Sequence, residues 1–128
     1  MKGQGPRYRQ PAVDTLVFQC KVAKLPVPQT EFQFHATRKW KADVCWPYIT
    51  NPLIVEVDGG LYVNGGHTRG AAREKDYERD AEALKLGYRI LRVSPGQVKS
   101  GKAILWLQDL LYGEKQAENR PLDTNTCI

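Results

Sequence analysis

The sequence predicts an α/β fold, a three-layer sandwich with a mixed β-sheet at its centre, and three observations carry that expectation. Helical and strand periodicities follow one another in the order helix, three strands, helix, strand, helix. The strand-like runs are short and bounded by Pro and Gly, as in Leu53-Ile-Val-Glu-Val-Asp58 between Pro52 and Gly59-Gly60. With 128 residues, 41% of them apolar and 26% charged, the chain has room for one domain around one core.

Ala12 to Lys24 places Val13, Leu16, Val17 and Cys20 at helical spacing, and Pro26 and Pro28 stop it. Glu31 to His35 alternates with period two. So does Lys39 to Trp46, with Trp40, Ala42, Val44 and Trp46 on one face and Lys39, Lys41, Asp43 and Cys45 on the other. In the third strand Leu53, Val55 and Val57 point to one side, and Ile54, Glu56 and Asp58 to the other. The stretch from Asn64 to Gly70 is too glycine-rich for regular structure. Ala71 to Leu86 reads as a helix with Tyr77, Ala81 and Leu84 as its inward stripe and Gly87 as its stop. Tyr88 to Val93 is a strand, Pro95-Gly96 a turn, and Lys102 to Leu111 a helix with Ile104, Leu107 and Leu111 inward. The domain is expected over residues 12–112, between a flexible basic arm (1–11) and a flexible polar tail (113–128). Both tryptophans of the second strand are expected in the core.

Three scattered cysteines, Cys20, Cys45 and Cys127, argue against a disulfide framework and a structural zinc site. The basic start of the chain lacks the apolar stretch of a secretory signal, and no run is long enough to cross a membrane, so a cytoplasmic protein is expected. A net charge of +5 suits a polyanionic partner, although many basic proteins bind no nucleic acid.

Against that basic background, acids recur on strand faces. Asp43 lies on the second strand, Glu56 and Asp58 on the third. If the strands pair with Asp43 beside Glu56, the carboxylates converge, and like charges about 4 Å apart repel by up to about 4 kcal/mol at an effective dielectric near 20. A hard divalent cation removes that repulsion. Asp58, before Gly59, has the ordinary reading of a strand end facing water, whereas Glu56 within an aliphatic run and Asp43 in mid-strand are harder to explain that way.

These residues also carry a resemblance. Arg38-Lys-Trp-Lys-Ala-Asp43, Ile54-Val-Glu-Val-Asp-Gly59, Gly66-His-Thr-Arg-Gly70, Asp76-Tyr-Glu-Arg79 and Gly87-Tyr-Arg-Ile-Leu-Arg92 stand in order over a little more than half of the chain. The set resembles the small phage and bacterial nucleases of the PD-(D/E)XK superfamily, relatives of the very-short-patch repair endonucleases. The resemblance implies a restriction-endonuclease-like fold in a bacterial or phage-infected cell. It also implies hydrolysis of DNA phosphodiesters by water activated on Mg2+, with Mn2+ as a substitute. Asp43, Glu56 and the carbonyl of Val57 would hold the metal. Where the superfamily has lysine this chain has Asp58, as closer relatives do, so the residue orienting the water is open among His67, Lys75 and Arg79. His67 is a candidate acid or base, and Arg79 a candidate for stabilising phosphorane charge or for an ordinary surface pair with Asp76. Arg92 is a candidate phosphate contact or a structural partner, and Glu31 a further acid or a charged strand end. Arg7, Arg9, Arg38, Lys39, Lys41, Arg69 and Lys75 are candidate DNA contacts, and reading half-sites would take a homodimer. Two other readings stay open: a catalytically silent DNA-binding or assembly module, and a small-molecule phosphohydrolase.

Overall fold

The structure, a computed structural model, describes residues 4–58 and 69–118, with side chains described over 10–58 and 74–114. The elements are α1 (Gln4–Val22), β1 (Gln29–Gln33), β2 (Lys41–Trp46), β3 (Leu53–Val57), α2 (Arg69–Lys85), β4 (Arg89–Val93), α3 (Pro95–Ser100) and α4 (Lys102–Glu118). The fold is α/β, with one open, mixed sheet in the order β1-β2-β3-β4. The first three strands are antiparallel neighbours, and β4 returns through α2 to lie parallel to β3.

The buried apolar side chains fall into two clusters. Val44, Trp46, Leu53, Val55, Val57 and Val93 meet Val13, Leu16 and Cys20 of α1, Val98 of α3, and Ala103, Leu107 and Leu111 of α4. Cys45 and Ile54 belong to a smaller cluster with Phe34, Ala42 and Ala83 of α2, joined by Trp40, Tyr88 and Ile90. β3 is buried along its whole length, as expected of a strand covered on both faces. Trp46 is 1% exposed, and its indole N–H donates to the Pro26 carbonyl at 2.6 Å, so the buried ring leaves no polar atom unpaired.

Several expectations shift. α1 begins at Gln4, within the stretch expected to be a flexible arm: Pro6 lies in the first turn, where its missing N–H costs nothing, and Gln10 supports the next turn by donating to Asp14. Neither Trp40 nor Ala42 shares a face with Val44 and Trp46: Ala42 lies in the cluster of Cys45 and Ile54, and Trp40 packs against that cluster. Trp40 precedes β2, so strand alternation does not reach it, and it stacks on Phe34 instead. The expected turn at Pro95-Gly96 is the opening of α3. Ser94 caps that helix, its hydroxyl accepting from the Gln97 amide while the Gln97 side chain accepts from the Ser94 amide. Gly101 ends it at φ +90°, a conformation that costs glycine little.

The inward stripe of α2 also differs. Tyr77 and Leu84 are 61% and 59% exposed, and the residues turned to the sheet are Arg79, Asp80 and Ala83. The sheet surface beneath carries carboxylates, so the helix meets it with a cation and a small residue rather than with its apolar stripe.

The polar segment expected from residue 113 continues α4 as far as Glu118. Glu114 is 5% exposed, and its carboxylate accepts from the amides of Thr50 and Asn51, each at 2.8 Å, and from the Asn51 side chain at 2.9 Å. Arg89 completes the tie by donating to the carbonyls of Asn51 and Leu110. The β2–β3 turn and the start of β4 are thereby fastened to α4. Glu114→Ala leaves two partly buried amides without their acceptor and is expected to cost about 3 kcal/mol, since bonds to charged groups contribute roughly 1.5–3 kcal/mol each. Urea denaturation checks this: the midpoint falls while the slope is unchanged.

Candidate active site

The β2–β3 register sets the site. Val44 and Val55 form the last pair of the β2–β3 ladder, and the next residues outward are Asp43 and Glu56, close enough for Asp43 to act electrostatically on Glu56. There the backbone pairing gives way to a side chain: Asp43 Oδ2 accepts the Val57 amide at 2.9 Å. Both acids are buried, Asp43 at 5% and Glu56 at 7% exposure. On the other side β4 pairs Arg92 directly with Glu56. A row of charged residues therefore crosses three adjacent strands.

Arg79 of α2 closes over this row. Its Nη2 donates to Glu56 Oε2 and to the Lys41 carbonyl, the latter at 2.9 Å, and its guanidinium carbon lies 5.2 Å from the centre of the Phe34 ring. Arg92 is held between Asp80 of α2, at 2.7 Å, and Asp58 at the end of β3, at 3.5 Å. Burial pushes the Glu56 carboxyl up to about 7; the Arg79 guanidinium pulls it down, Asp43 beside it pushes it up again, and Arg92 pulls it down further. For Arg92, burial favours proton loss, but the carboxylates of Asp80, Asp58 and Glu56 outweigh it and hold the guanidinium above its ordinary value.

The remaining candidates are placed as follows. Val57 enters through its amide, with its side chain in the larger core cluster. Asp58 is half-exposed, and its amide donates to the Val93 carbonyl. His67 lies outside the described residues. Arg69 is the first residue of α2, and its side chain lies outside them, as do those of Arg7 and Arg9. Lys39, Lys41, Lys75 and Asp76 are exposed. Arg38 lies over the Trp40 ring at 3.9 Å and pairs with Glu78 at 3.0 Å. Glu31 is exposed at φ +49°, between the pairs Thr30–Val44 and Phe32–Ala42, where register sets it opposite Asp43.

Two participants were not read from the sequence: Asp80 orients Arg92, and the Lys41 carbonyl helps to seat Arg79. Beside the site, His35 Nδ1 accepts the amides of Thr37 and Arg38 and leaves Nε2 to donate to Glu82 at 3.4 Å. The spacing of Arg79 and Ala83, four apart on one helix face, is the one signal that could have turned α2 correctly.

Cys20 and Cys45 are pushed up to about 12 by burial, so neither is a thiolate nucleophile. Among the described residues no group of three or more His, Cys, Asp or Glu side chains is gathered for a metal ion. Two adjacent buried carboxylates, one of them raised by the other, nevertheless form a donor set that suits a hard cation. Magnesium is commonly held by one or two carboxylates, with waters and substrate phosphate completing its shell. The chain matches no protein-family model, no curated protein and no solved structure.

A carboxyl raised from 4.5 to about 7 holds its proton more tightly in the folded than in the unfolded chain. Its contribution to stability is complete below pH 4.5 and is lost as pH rises to about 7, a change on the order of 3 kcal/mol. Thermal melts between pH 4.5 and 8 are expected to show this falling contribution in the wild type and not in Glu56→Gln, once the two profiles are subtracted.

Proposed function

We propose that this protein is a divalent-metal-dependent DNA endonuclease with a restriction-endonuclease-like, three-layer arrangement of the PD-(D/E)XK kind. The observation that carries the reading is the two buried carboxylates Asp43 and Glu56, on adjacent strands and electrostatically coupled, in a chain of net charge +5. Asp43 and Glu56 would hold Mg2+, or Mn2+ in its place, with the Val57 carbonyl as a further oxygen ligand. The cation, when bound, supplies polarisation of the scissile phosphate and a water of lowered pKa.

The chain's own residues prepare the site. The Val57 amide fixes one oxygen of Asp43, so that carboxylate is oriented before any ligand arrives. Arg79 keeps Glu56 compensated and seated while the site is without a cation. Asp58, half-exposed at the end of β3, is the acid best placed to meet solvent, and His67 in the glycine-rich stretch of sequence is the proposed proton carrier. Lys39, Lys41, Lys75, Arg38 and Arg69 would add phosphate contacts that fix the duplex without reading its bases.

A second reading follows from the Arg79–Glu56 pair itself. An arginine that permanently neutralises Glu56 would leave a nuclease-like domain that binds DNA and cuts nothing.

The test is cleavage of supercoiled plasmid, single-stranded and branched DNA with Mg2+, Mn2+ or chelator, for wild type, Asp43→Ala and Glu56→Ala. The nuclease reading expects metal-dependent cutting that each substitution reduces by more than the roughly 10–100-fold typical of losing an outer-shell partner. It also expects either metal to raise the melting temperature of the wild type and not of Asp43→Ala, by linkage. Binding without cutting, and no metal-induced shift, would replace it with the silent-module reading.

A further inference from the structure

The two arginines beside the carboxylate pair are held in different ways. Arg79 is turned inward: its side chain is 13% exposed, and its Nη2 is engaged by Glu56 and the Lys41 carbonyl beside the ring of Phe34. Arg92 is turned toward solvent. Its side chain is 32% exposed, and the acids that orient it, Asp80 and Asp58, are 29% and 38% exposed. A guanidinium offers five N–H donors in a planar fork, more than two single carboxylate contacts use, and that fork matches phosphate geometry.

Position and space agree with this difference. Arg92 is the direct neighbour of Glu56 across the β3–β4 ladder. β4 is also an edge strand, and Arg92 lines an open groove of about 500 Å³ together with Leu91, Gln97, Trp106, Asp109 and Leu110. Arg92 thus stands between Glu56 and an open surface, whereas Arg79 is held inward against Glu56.

We propose that Arg92 binds a backbone phosphate of the DNA beside Glu56, with Asp80 and Asp58 orienting its guanidinium, and that Arg79 is a positioning residue that stays on Glu56 and touches no phosphate. This assignment rests on the nuclease reading and divides the labour within it. The acids hold the Arg92 fork in place before the phosphate arrives, and a guanidinium stays charged throughout the working range of pH.

The experiment is equilibrium binding of a fluorescein-labelled DNA duplex in EDTA, by anisotropy over a series of NaCl concentrations, so that binding is read without cleavage. Wild type is compared with Arg92→Gln, Arg92→Lys, Arg79→Gln, Arg79→Lys and, as a control on α3, Lys99→Gln. A residue that neutralises one phosphate contributes about 0.9 to the slope of log affinity against log salt, which is about eightfold in affinity at 0.1 M salt. Arg92→Gln is expected to lose that slope and affinity, and Arg92→Lys to recover the slope. Arg79→Lys, and Arg79→Gln if it folds, are expected to keep the wild-type slope while lowering the melting temperature. Lys99→Gln is expected to change neither.

If Arg92→Gln keeps the wild-type slope, Arg92 is only a link between α2 and the sheet, and the assignment fails although the nuclease reading stands. If an Arg79 variant loses the slope instead, the roles are reversed. If wild type binds no DNA at all, the nuclease reading and this inference fall together.

Discussion

The compensation of a buried negative charge organises one whole side of this molecule. Glu56 sits on a strand that is covered on both faces, and Asp43 is set beside it by the β2–β3 register. Left alone, two carboxylates in such a place would be costly, because burial and mutual repulsion both oppose ionisation. The chain answers with Arg79 from above, Arg92 from the next strand and the Val57 amide from within β3. The orientation of α2 follows from this. That helix turns its charged residues to the sheet and leaves Tyr77 and Leu84 in solvent, the reverse of what an apolar contact would select.

The opposite face of the sheet obeys simpler physics. α1, α3 and α4 cover it with aliphatic side chains, and the aliphatic residues of β2, β3 and β4 interlock with them. This face stands on apolar burial, which is non-directional and tolerates some rearrangement. The α2 face stands on directed charge pairs, in which loss of one partner strands the other. Glu114 carries the same logic to the far end of the sheet, where a buried carboxylate fastens the β2–β3 turn to α4. The two edges of the sheet differ as well. β1 is interrupted at Glu31 by a left-handed residue that breaks its pairing, a feature that discourages edge-to-edge association, whereas β4 borders an open groove.

Much of this was legible in the residue order. The stripe of Val13, Leu16 and Cys20 and the spacing of Leu107 and Leu111 state a helical period that burial then obeys, and the alternation along β3 sends Leu53, Val55 and Val57 to one cluster and Ile54 to the other. Asp43 and Glu56 stood out because acids are disfavoured in mid-strand. The opening of α3 was also written there, as Ser94 followed three residues later by Gln97, although Pro95-Gly96 reads first as a turn. Breakers misled at the other end, where Gly5 and Pro6 suggested a loose arm and the chain is helical from Gln4.

The sequence by itself determined the order of the four strands and of the helices other than α3, the two faces of β3 and the two carboxylates that stand out on their strands, because strand and helix periods and residue propensities are local properties. Only the tertiary structure decided which arginine meets which acid, which way α2 turns, and that Glu114 belongs to the interior. Arg79 and Glu56, Arg92 and Asp80, and Glu114 and Thr50 lie 23, 12 and 64 residues apart. A charge finds its partner through strand register and helix packing, and no local pattern in the chain encodes the distance between two side chains that meet only when the sheet has formed.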